Sequence, residues 1–237
     1  MCLFSTPILT FGAGWVFKLN IYRIVEHQAA SAIRLVTDTQ DEYEFIETEL
    51  DSLRPALKQT SHHLLIKKPF SYPTPVPLDF SRRFTPPGSD LLAFYGSEYL
   101  TTAVYELAYH FMEFRIHLPA PSQVSEPRTA FSVEFDPSDG LNLNSHPKID
   151  LIASKKSYEV SQQIAEENKG VPSILYPSCR GPNHELNVAV YDIQKLGTDI
   201  EQTQTLKFVY LHKQQSSLIF FEGESNPRHK VAWSEVA

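Results

Sequence analysis

Short apolar runs separated by turns follow one another between residues 129 and 221, and they constrain the fold more than any other feature of the sequence. The run at 129–135 alternates apolar and polar side chains, which is typical of a half-buried strand. Further runs of strand length lie at 173–178, 186–192, 206–211 and 218–221. One helix is predicted among them, from Tyr158 to Asn168, with Gly170 near its C-terminal end. The sequence therefore predicts an α+β fold, a single domain with a mixed sheet and flanking helices.

Two more strands and a helix are predicted in the first half of the chain. IYRIVE (21–26) and LLAFYG (91–96) have the length and apolar content of strands. Ser97 can cap a helix that runs to about Phe114, with an apolar face that leaves Glu106 to one side.

Between these elements lie a proline-rich loop and an acidic segment. Four prolines from Pro69 to Pro77 exclude a central strand or α-helix, so we expect an extended cover over the fold. The stretch 38–51 holds seven acids and no base, and its apolar spacing predicts an amphipathic helix. Its acidic face is either simply solvated or a docking face for a basic partner.

Charge and cysteine content exclude several classes of protein. A formal net charge of −7 argues against a dedicated nucleic-acid binder, but it leaves room for a local basic pocket. Two cysteines, Cys2 and Cys179, cannot build a disulfide framework, so a reducing cytoplasm is expected. No apolar run approaches the roughly 18 residues of a membrane span, and the start of the chain lacks a basic segment typical of signal peptides.

Several common catalytic motifs are missing from the sequence. It contains no GxGxxG, P-loop, HExxH or GxSxG pattern. His62 and His63 would face opposite ways on a strand, so we expect no metal site. Cys179 follows a Pro-Ser turn without a recognisable histidine partner, which favours a packed thiol over a nucleophile.

Polar residues in apolar surroundings form the most informative pattern. They lie in three segments: Tyr22–Arg23; Arg82–Gly88 with Tyr95 and Glu106; and Tyr176–Arg180 with Asn187. Arginine binds phosphate oxygens through two donors, and tyrosine offers a stacking face and a hydroxyl. A nearby carboxylate can stabilise an oxocarbenium-like transition state. Together these groups suit cleavage of a glycosidic bond in a dinucleotide.

The order of these segments resembles the RES domain family of toxin–antitoxin modules. RRFTPPG (82–88) and FYGSEYLTTAVYELAYH (94–110) are similar to its Arg segment and to its Tyr and Glu segment. SILYPSCR (173–180) and LNVAVYD (186–192) resemble its Ser and Asn strands. IYRIVEHQ (21–28) and HHLLIKKPFSYP (62–73) resemble a longer branch of the family.

The resemblance implies an ADP-ribosyltransferase-like fold that binds NAD+ as substrate and destroys it, with inorganic phosphate or water as acceptor and without a prosthetic group. It implies the catalytic set Arg83, Tyr95, Glu106 and Ser178. It implies the ligand-binding set Tyr22, Arg23, Arg82, Arg180 and Asn187. Spacing favours Arg83 over Arg82 as the key arginine, and Arg82 either adds to the anion site or pairs with an acid. A cognate antitoxin of the Xre type would occlude the site.

We therefore expect residues 1–237 to form one NAD+-consuming domain. Its core would span about 21–192, with an insertion at 38–80 and a C-terminal extension at 193–237 that matches no family motif. Two alternatives remain open. One is an ADP-ribosyltransferase that modifies a protein target, and the other is an inactive RES module that only binds a partner.

Overall fold

A computed structural model describes residues 18–26, 39, 41–42, 45, 60–117 and 123–237. The predicted acidic helix at 38–51 lies mostly outside these residues, and so does Cys2. None of the helices in the described ranges combines the length and the apolar character that a membrane span requires.

The described residues form one sheet of nine strands. Along the chain these are β1 (Leu19–Glu26), β2 (Phe94–Ser97), β3 (Gln123–Phe135), β4 (Leu141–Asn142), β5 (Ser173–Pro177), β6 (Leu186–Val190), β7 (Glu201–Leu211), β8 (Ser216–Phe221) and β9 (His229–Ala232). Their order across the sheet is β4-β5-β6-β2-β1-β3-β7-β8-β9. Only β4 and β5 are parallel among these pairs, so the sheet is mixed, as predicted.

Helices and turns pack on this sheet. The α-helices of the described residues are α1 (Leu64–Lys67), α2 (Leu100–Glu113), α3 (Ile149–Ile152), α4 (Glu159–Glu167) and α5 (Trp233–Val236). Short 3-10 turns lie at Lys68–Ser71, Leu78–Phe80, Ile193–Lys195 and His212–Gln214. The α+β class with flanking helices is thereby confirmed.

Both faces of the central sheet are covered. The apolar face of α2, including Val104 and Phe111, packs with Phe208 on one side. On the other side, Ile66 and Phe70 pack with the strands. Phe70 of the proline-rich segment packs on this face, and 3-10 turns interrupt the extended course that was expected for the segment.

Double coverage corrects the half-buried interpretation of 129–135. Phe131 and Val133 are buried on one face as predicted, but Ala130 and Ser132 on the other face are buried too. The alternation in this strand therefore separates two covered faces of the sheet along most of the run, and only Glu134 near its end is partly exposed.

Two further expectations are wrong. Ser97 does not cap α2, because it is the last residue of β2 and Tyr99 occupies the cap position. His62 and His63 are not on a strand. They precede α1, where His63 Nδ1 accepts a hydrogen bond from the Leu65 N–H.

Residues 193–237, predicted as an extension, supply β7, β8, β9 and α5. Strand β7 pairs with β3 over most of its length. These residues are therefore part of the same sheet.

The centre of the sheet opens between β1 and β2. Strand β1 pairs with β3 along its whole length, whereas its register with β2 joins one pair of residues, Tyr22 and Ser97. Beyond that pair the two strands separate, and Arg23 Nη1 donates to the Tyr95 carbonyl at 3.1 Å. This separation places side chains of both strands around a cavity.

Candidate active site

A cavity of about 240 Å³ lies where β1 and β2 separate, bounded by α2 and the turn after β5. Eight of the nine predicted site residues line it. The ninth, Ser178, is fully buried behind the lining and is bonded to Glu106. The fold thus brings together all three sequence segments that carried the prediction.

Glu106 projects from α2 into the cavity, and its carboxylate is held by three side chains. Oε1 accepts hydrogen bonds from Ser178 Oγ at 2.7 Å and from Asn187 Nδ2 at 2.8 Å. Oε2 faces Arg180 Nη1 at 3.3 Å. The Glu106 side chain is nevertheless 23% exposed, so the carboxylate is oriented by the protein and still accessible from the cavity.

Ser178 is fixed by the tight turn that follows β5. Its hydroxyl accepts hydrogen bonds from the N–H of Arg180 at 3.2 Å and of Gly181 at 2.8 Å while it donates to Glu106. A side chain at Gly181 would lie 3.1 Å from Ser178 Oγ and 2.9 Å from Thr102 Cγ2. Glycine at this position therefore allows the turn to approach α2 closely.

Asn187 lies on β6 and is oriented from the neighbouring strand. Its Oδ1 accepts from Ser97 Oγ at 2.7 Å, which directs its amide nitrogen toward Glu106. Ser97, which was predicted as a helix cap, thus orients Asn187 on the neighbouring strand, and Asn187 in turn donates a hydrogen bond to the Glu106 carboxylate.

Arg180 is almost completely buried, with 2% of its side chain exposed. Its guanidinium lies over the ring of Tyr109, with Cζ 3.7 Å from the ring centroid. Burial by itself lowers the pKa of Arg180 and is the largest single effect, but the Glu106 carboxylate, Cys179 and Tyr158 together raise the pKa above its ordinary value. Arg180 therefore stays charged beside Glu106.

Arg83 lies in a tight turn closed by backbone hydrogen bonds between Arg82 and Thr85. The turn directs Arg83 inward, where it is 6% exposed. Its Nη1 donates to the Ile152 carbonyl, and its Nη2 donates to Cys179 Sγ at 3.1 Å.

Tyr158, just before α4, packs against the guanidinium of Arg83. Its ring lies under the guanidinium, with Cζ of Arg83 4.6 Å from the ring centroid. Tyr158 also lines the cavity, and the sequence reasoning did not identify it.

Arg82 has the opposite environment. It is exposed at the rim of the cavity, and its Nη1 donates to the carbonyls of Asp79 and Ser81 in its own loop. Tyr22 is also near the rim, and its hydroxyl donates to Gln202 Oε1 at 2.8 Å.

Arg23 and Tyr95 form the wall between the separated strands. Cζ of Arg23 lies 4.8 Å from the ring centroid of Phe94. Burial lowers the pKa of Arg23 to about 10, so the group is still charged at neutral pH. Burial raises the pKa of Tyr95 to about 12, and its hydroxyl accepts from the Phe84 N–H at 3.0 Å.

His110 and Tyr176 also line the cavity without having been singled out as site residues. His110 lies one turn after Glu106 on α2, a spacing that could have indicated it. Burial, with a further contribution from Arg180, lowers the pKa of His110, so the imidazole is neutral at pH 7. Burial also raises the pKa of Tyr176 well above its ordinary value.

Cys179 is buried between Arg83 and Arg180. Burial raises the pKa of its thiol, which disfavours the thiolate form that a nucleophile needs. Across the described residues, no group of three or more His, Cys, Asp or Glu side chains is arranged to hold a metal ion.

The charge of the cavity is opposite to that of the whole chain. Among the described residues that line it, four are arginines and one, Glu106, is an acid. Guanidinium groups around an apolar and aromatic wall suit a ligand that carries phosphate and a planar ring.

Comparison with known proteins gives one family and a distant structural likeness. The profile of the RES domain matches residues 54–210, a range that contains every candidate site residue except Tyr22 and Arg23. A chain from the M. tuberculosis MbcT–MbcA toxin–antitoxin complex matches with a TM-score of 0.40 and 10% identity, over 79% of this chain and 83% of that chain. No curated protein matches the sequence.

Proposed function

Since the chain belongs to the RES domain family, we propose that it is a toxin-like enzyme that degrades NAD+ by cleaving the bond between nicotinamide and ribose. The observation that carries the proposal is the environment of Glu106. Its carboxylate is oriented by donors on one side and accessible on the other, inside a cavity whose lining includes four arginines and four tyrosines.

Cleavage of this bond places positive charge on the ribose. As the C1″–N bond breaks, its electron pair goes to the nicotinamide nitrogen, and the ribose acquires oxocarbenium character. The charge that develops is stabilised by a fixed carboxylate whose orientation does not change during the reaction. Because Ser178, Asn187 and Arg180 all donate to Glu106, its oxygens act as acceptors and stabilise charge.

The arginines suit the pyrophosphate of the same ligand. Arg23 and Arg83 are charged and held in place by carbonyls and aromatic rings, so little side-chain entropy is lost when they bind an anion. Tyr95 and Tyr158 offer planar faces for a ring of the dinucleotide.

The acceptor in this proposal is inorganic phosphate, with water as the other possible acceptor. Phosphate attacks C1″ through one oxygen, forms a C–O bond and yields ADP-ribose-1″-phosphate and nicotinamide. The guanidinium of exposed Arg82 donates only to carbonyls of its own loop among the described residues, so its charge is available to a second anion.

A cognate antitoxin, of the Xre type implied by the resemblance, is the proposed partner. Exposed apolar side chains next to Arg82, those of Leu78 and Phe80, offer it a contact beside the cavity. Such a partner would block entry of NAD+.

Mass spectrometry of the products formed from NAD+, with and without phosphate, tests the proposal. We expect ADP-ribose-1″-phosphate when phosphate is present and slower release of ADP-ribose when it is absent. Label from NAD+ on a protein band of a lysate would instead support ADP-ribosyl transfer. Unchanged NAD+ at high protein concentration would overturn the proposal and favour a module that only binds a partner.

A further inference from the structure

The C-terminal helix α5 contacts the candidate active site through an aromatic stack. Trp233 lies against Tyr109 of α2, with ring centroids 5.4 Å apart and planes inclined by 11°. The same Tyr109 ring carries the guanidinium of Arg180, which faces Glu106. Three successive contacts thus connect the last helix of the chain, beyond the matched range 54–210, with the carboxylate of the cavity.

Arg180 depends on the ring of Tyr109 for its orientation. Only Nη1 of its guanidinium forms hydrogen bonds with described residues, to Glu106 Oε2 and to Cys179 Sγ. Nε and Nη2 are buried without a well-aligned partner there, but the Tyr158 side chain also interacts with the guanidinium, and its charge and hydrogen bonding help to raise the pKa of Arg180. The aromatic face of Tyr109, 3.7 Å from Cζ, therefore contributes to the orientation of this buried cation.

Tyr109 in turn is fixed at two points. Its hydroxyl donates to Glu113 Oε1 at 2.7 Å, and its ring packs on Trp233. Without the indole, the ring would lose its apolar neighbour on α5 and could tilt about the remaining hydroxyl contact.

Helix α5 is itself firmly attached to the sheet and to the neighbouring loop. The Trp233 N–H donates to the Gln215 carbonyl at 2.8 Å, and Lys155 Nζ donates to the Glu235 carbonyl at 2.8 Å. Val236 is fully buried. These contacts attach the helix that carries the indole to the sheet and to the loop that contains Lys155.

We propose that Trp233 is a positioning residue of the candidate active site, which holds Arg180 against Glu106 through the ring of Tyr109. Its effect on catalysis rests on the proposed function, whereas its effect on Arg180 does not.

Two substitutions of Trp233 distinguish an effect of aromatic stacking on Tyr109 from an effect of the volume that the side chain fills. Trp233→Phe keeps an aromatic ring, and Trp233→Leu keeps apolar bulk without one. We expect Trp233→Leu to lower kcat for nicotinamide release by roughly 10- to 100-fold, the cost of small misplacements at a reacting centre. Trp233→Phe should stay close to the wild type. The KM for NAD+ should change little, because Arg180 is directed at Glu106.

Val236→Ala is the matched control. It removes buried apolar volume from the same helix without touching the stack. At a temperature where all variants are folded by circular dichroism, we expect its kcat to equal that of the wild type. An equal loss of kcat in Val236→Ala and Trp233→Leu would mean a merely structural helix and would overturn the proposal. If Trp233→Leu does not fold, Trp233→Met replaces it, since methionine fills irregular gaps.

A double-mutant cycle tests the route through Arg180. In an Arg180→Lys background, Trp233→Leu should cause little further loss of kcat, because coupled residues are not additive. Full additivity of the two losses would contradict the proposed route.

A readout without activity distinguishes failure of this inference from failure of the proposed function. The Arg180 Hε resonance, assigned by its absence in Arg180→Lys, should be shifted by the ring of Tyr109 in the wild type. Trp233→Leu should move it toward an ordinary arginine position, and Val236→Ala should leave it in place. An unmoved resonance in Trp233→Leu would overturn the inference, whether or not the wild type consumes NAD+.

Discussion

Arg82 and Arg83 are neighbours in sequence with opposite environments. Arg83 is buried and held by a carbonyl, a thiol and the ring of Tyr158, whereas Arg82 is exposed at the rim. The resemblance and the spacing favour Arg83 as the key arginine, and this preference stays a prediction. A buried, pre-oriented guanidinium can bind an anion with two directed hydrogen bonds.

Lysine substitutions of these two arginines form a matched pair of variants. Lysine keeps the charge but lacks the planar group that forms two parallel bonds. Arg83→Lys should raise the KM for NAD+ about tenfold or more, the cost of one lost charge-assisted hydrogen bond. Arg82→Lys should leave the KM for NAD+ within about twofold, since exposed ion pairs contribute little.

Steady-state kinetics of nicotinamide release check this pair. A larger change of KM in Arg82→Lys than in Arg83→Lys would reverse the assignment.

At the scale of elements, the turn after β5 sets the position of the acid on α2. Ser178 and Gly181 bring the turn against Thr102, and the Ser178 hydroxyl reaches Glu106. The geometry of the candidate site therefore depends on how closely this turn approaches α2.

Gly181→Ala should impair both stability and activity. The added methyl group would meet Ser178 Oγ and Thr102, so the turn must shift, at a cost of about 1–3 kcal/mol of unfolding free energy. Because Ser178 moves with the turn, kcat should fall even at temperatures where the variant is folded. Chemical denaturation and nicotinamide release measure the two effects.

Gly140→Ala provides the comparison for this variant. Its methyl group would meet Ser173 Oγ at 2.5 Å, among residues that do not line the cavity. It should lose stability while it keeps kcat. A Gly181→Ala enzyme that is destabilised but fully active would show that the turn does not position Glu106.

Elements with a clear local pattern could be predicted from the sequence, and elements defined by packing could not. The strands at 173–177 and 186–190 follow apolar runs of strand length, and the helix Glu159–Glu167 follows a helical segment that ends near Gly170. Strand β9 and helix α5 each contain four residues, too few for a period to be recognised. Ser97 has the chemistry of a cap, but pairing of β2 with β6 extends the strand through it.

The residues of the candidate site also fall into two groups, those that a sequence pattern marks and those that only tertiary packing places there. Residues within family motifs, such as Glu106 and Ser178, could be named in advance because order and spacing mark them. Tyr158 and Trp233 could not, since each reaches the site through an element whose position depends on tertiary packing. No local signal distinguishes such aromatic residues from others in the core.

For the whole molecule, a formal net charge of −7 contrasts with a cavity lined with arginines. At about 0.1 M salt, charges act over roughly 10 Å, so an anion near the opening is influenced mainly by the arginines. Salt weakens the attraction of an anion to the arginines, which lowers its affinity, and it also weakens repulsion by the net negative charge of the chain, which raises its affinity.

The dependence of KM on salt therefore tests whether attraction by the arginines or repulsion by the net negative charge has the larger effect on binding of NAD+. Raising NaCl from about 0.05 M to about 0.5 M should raise the KM for NAD+ several-fold, because it screens the local attraction. The kcat should be nearly unchanged, since buried charges are screened much less. A KM that falls with salt would mean that repulsion by the acidic surface is the larger effect.

The central claim is that the Glu106 carboxylate stabilises the charge that develops on the ribose of NAD+. Glu106→Gln keeps the size and the acceptor oxygen for Ser178 and Asn187 but removes the charge. Glu222→Gln is the matched control, because Glu222 is exposed in the turn after β8 and does not line this cavity.

The decisive measurement is the rate of nicotinamide release from NAD+ by these two variants, each shown to be folded by circular dichroism. We predict that Glu106→Gln loses at least about 10²-fold in kcat, as expected when preorganised electrostatic stabilisation is removed, while Glu222→Gln matches the wild type. Release by Glu106→Gln within a few-fold of the wild type would contradict the account.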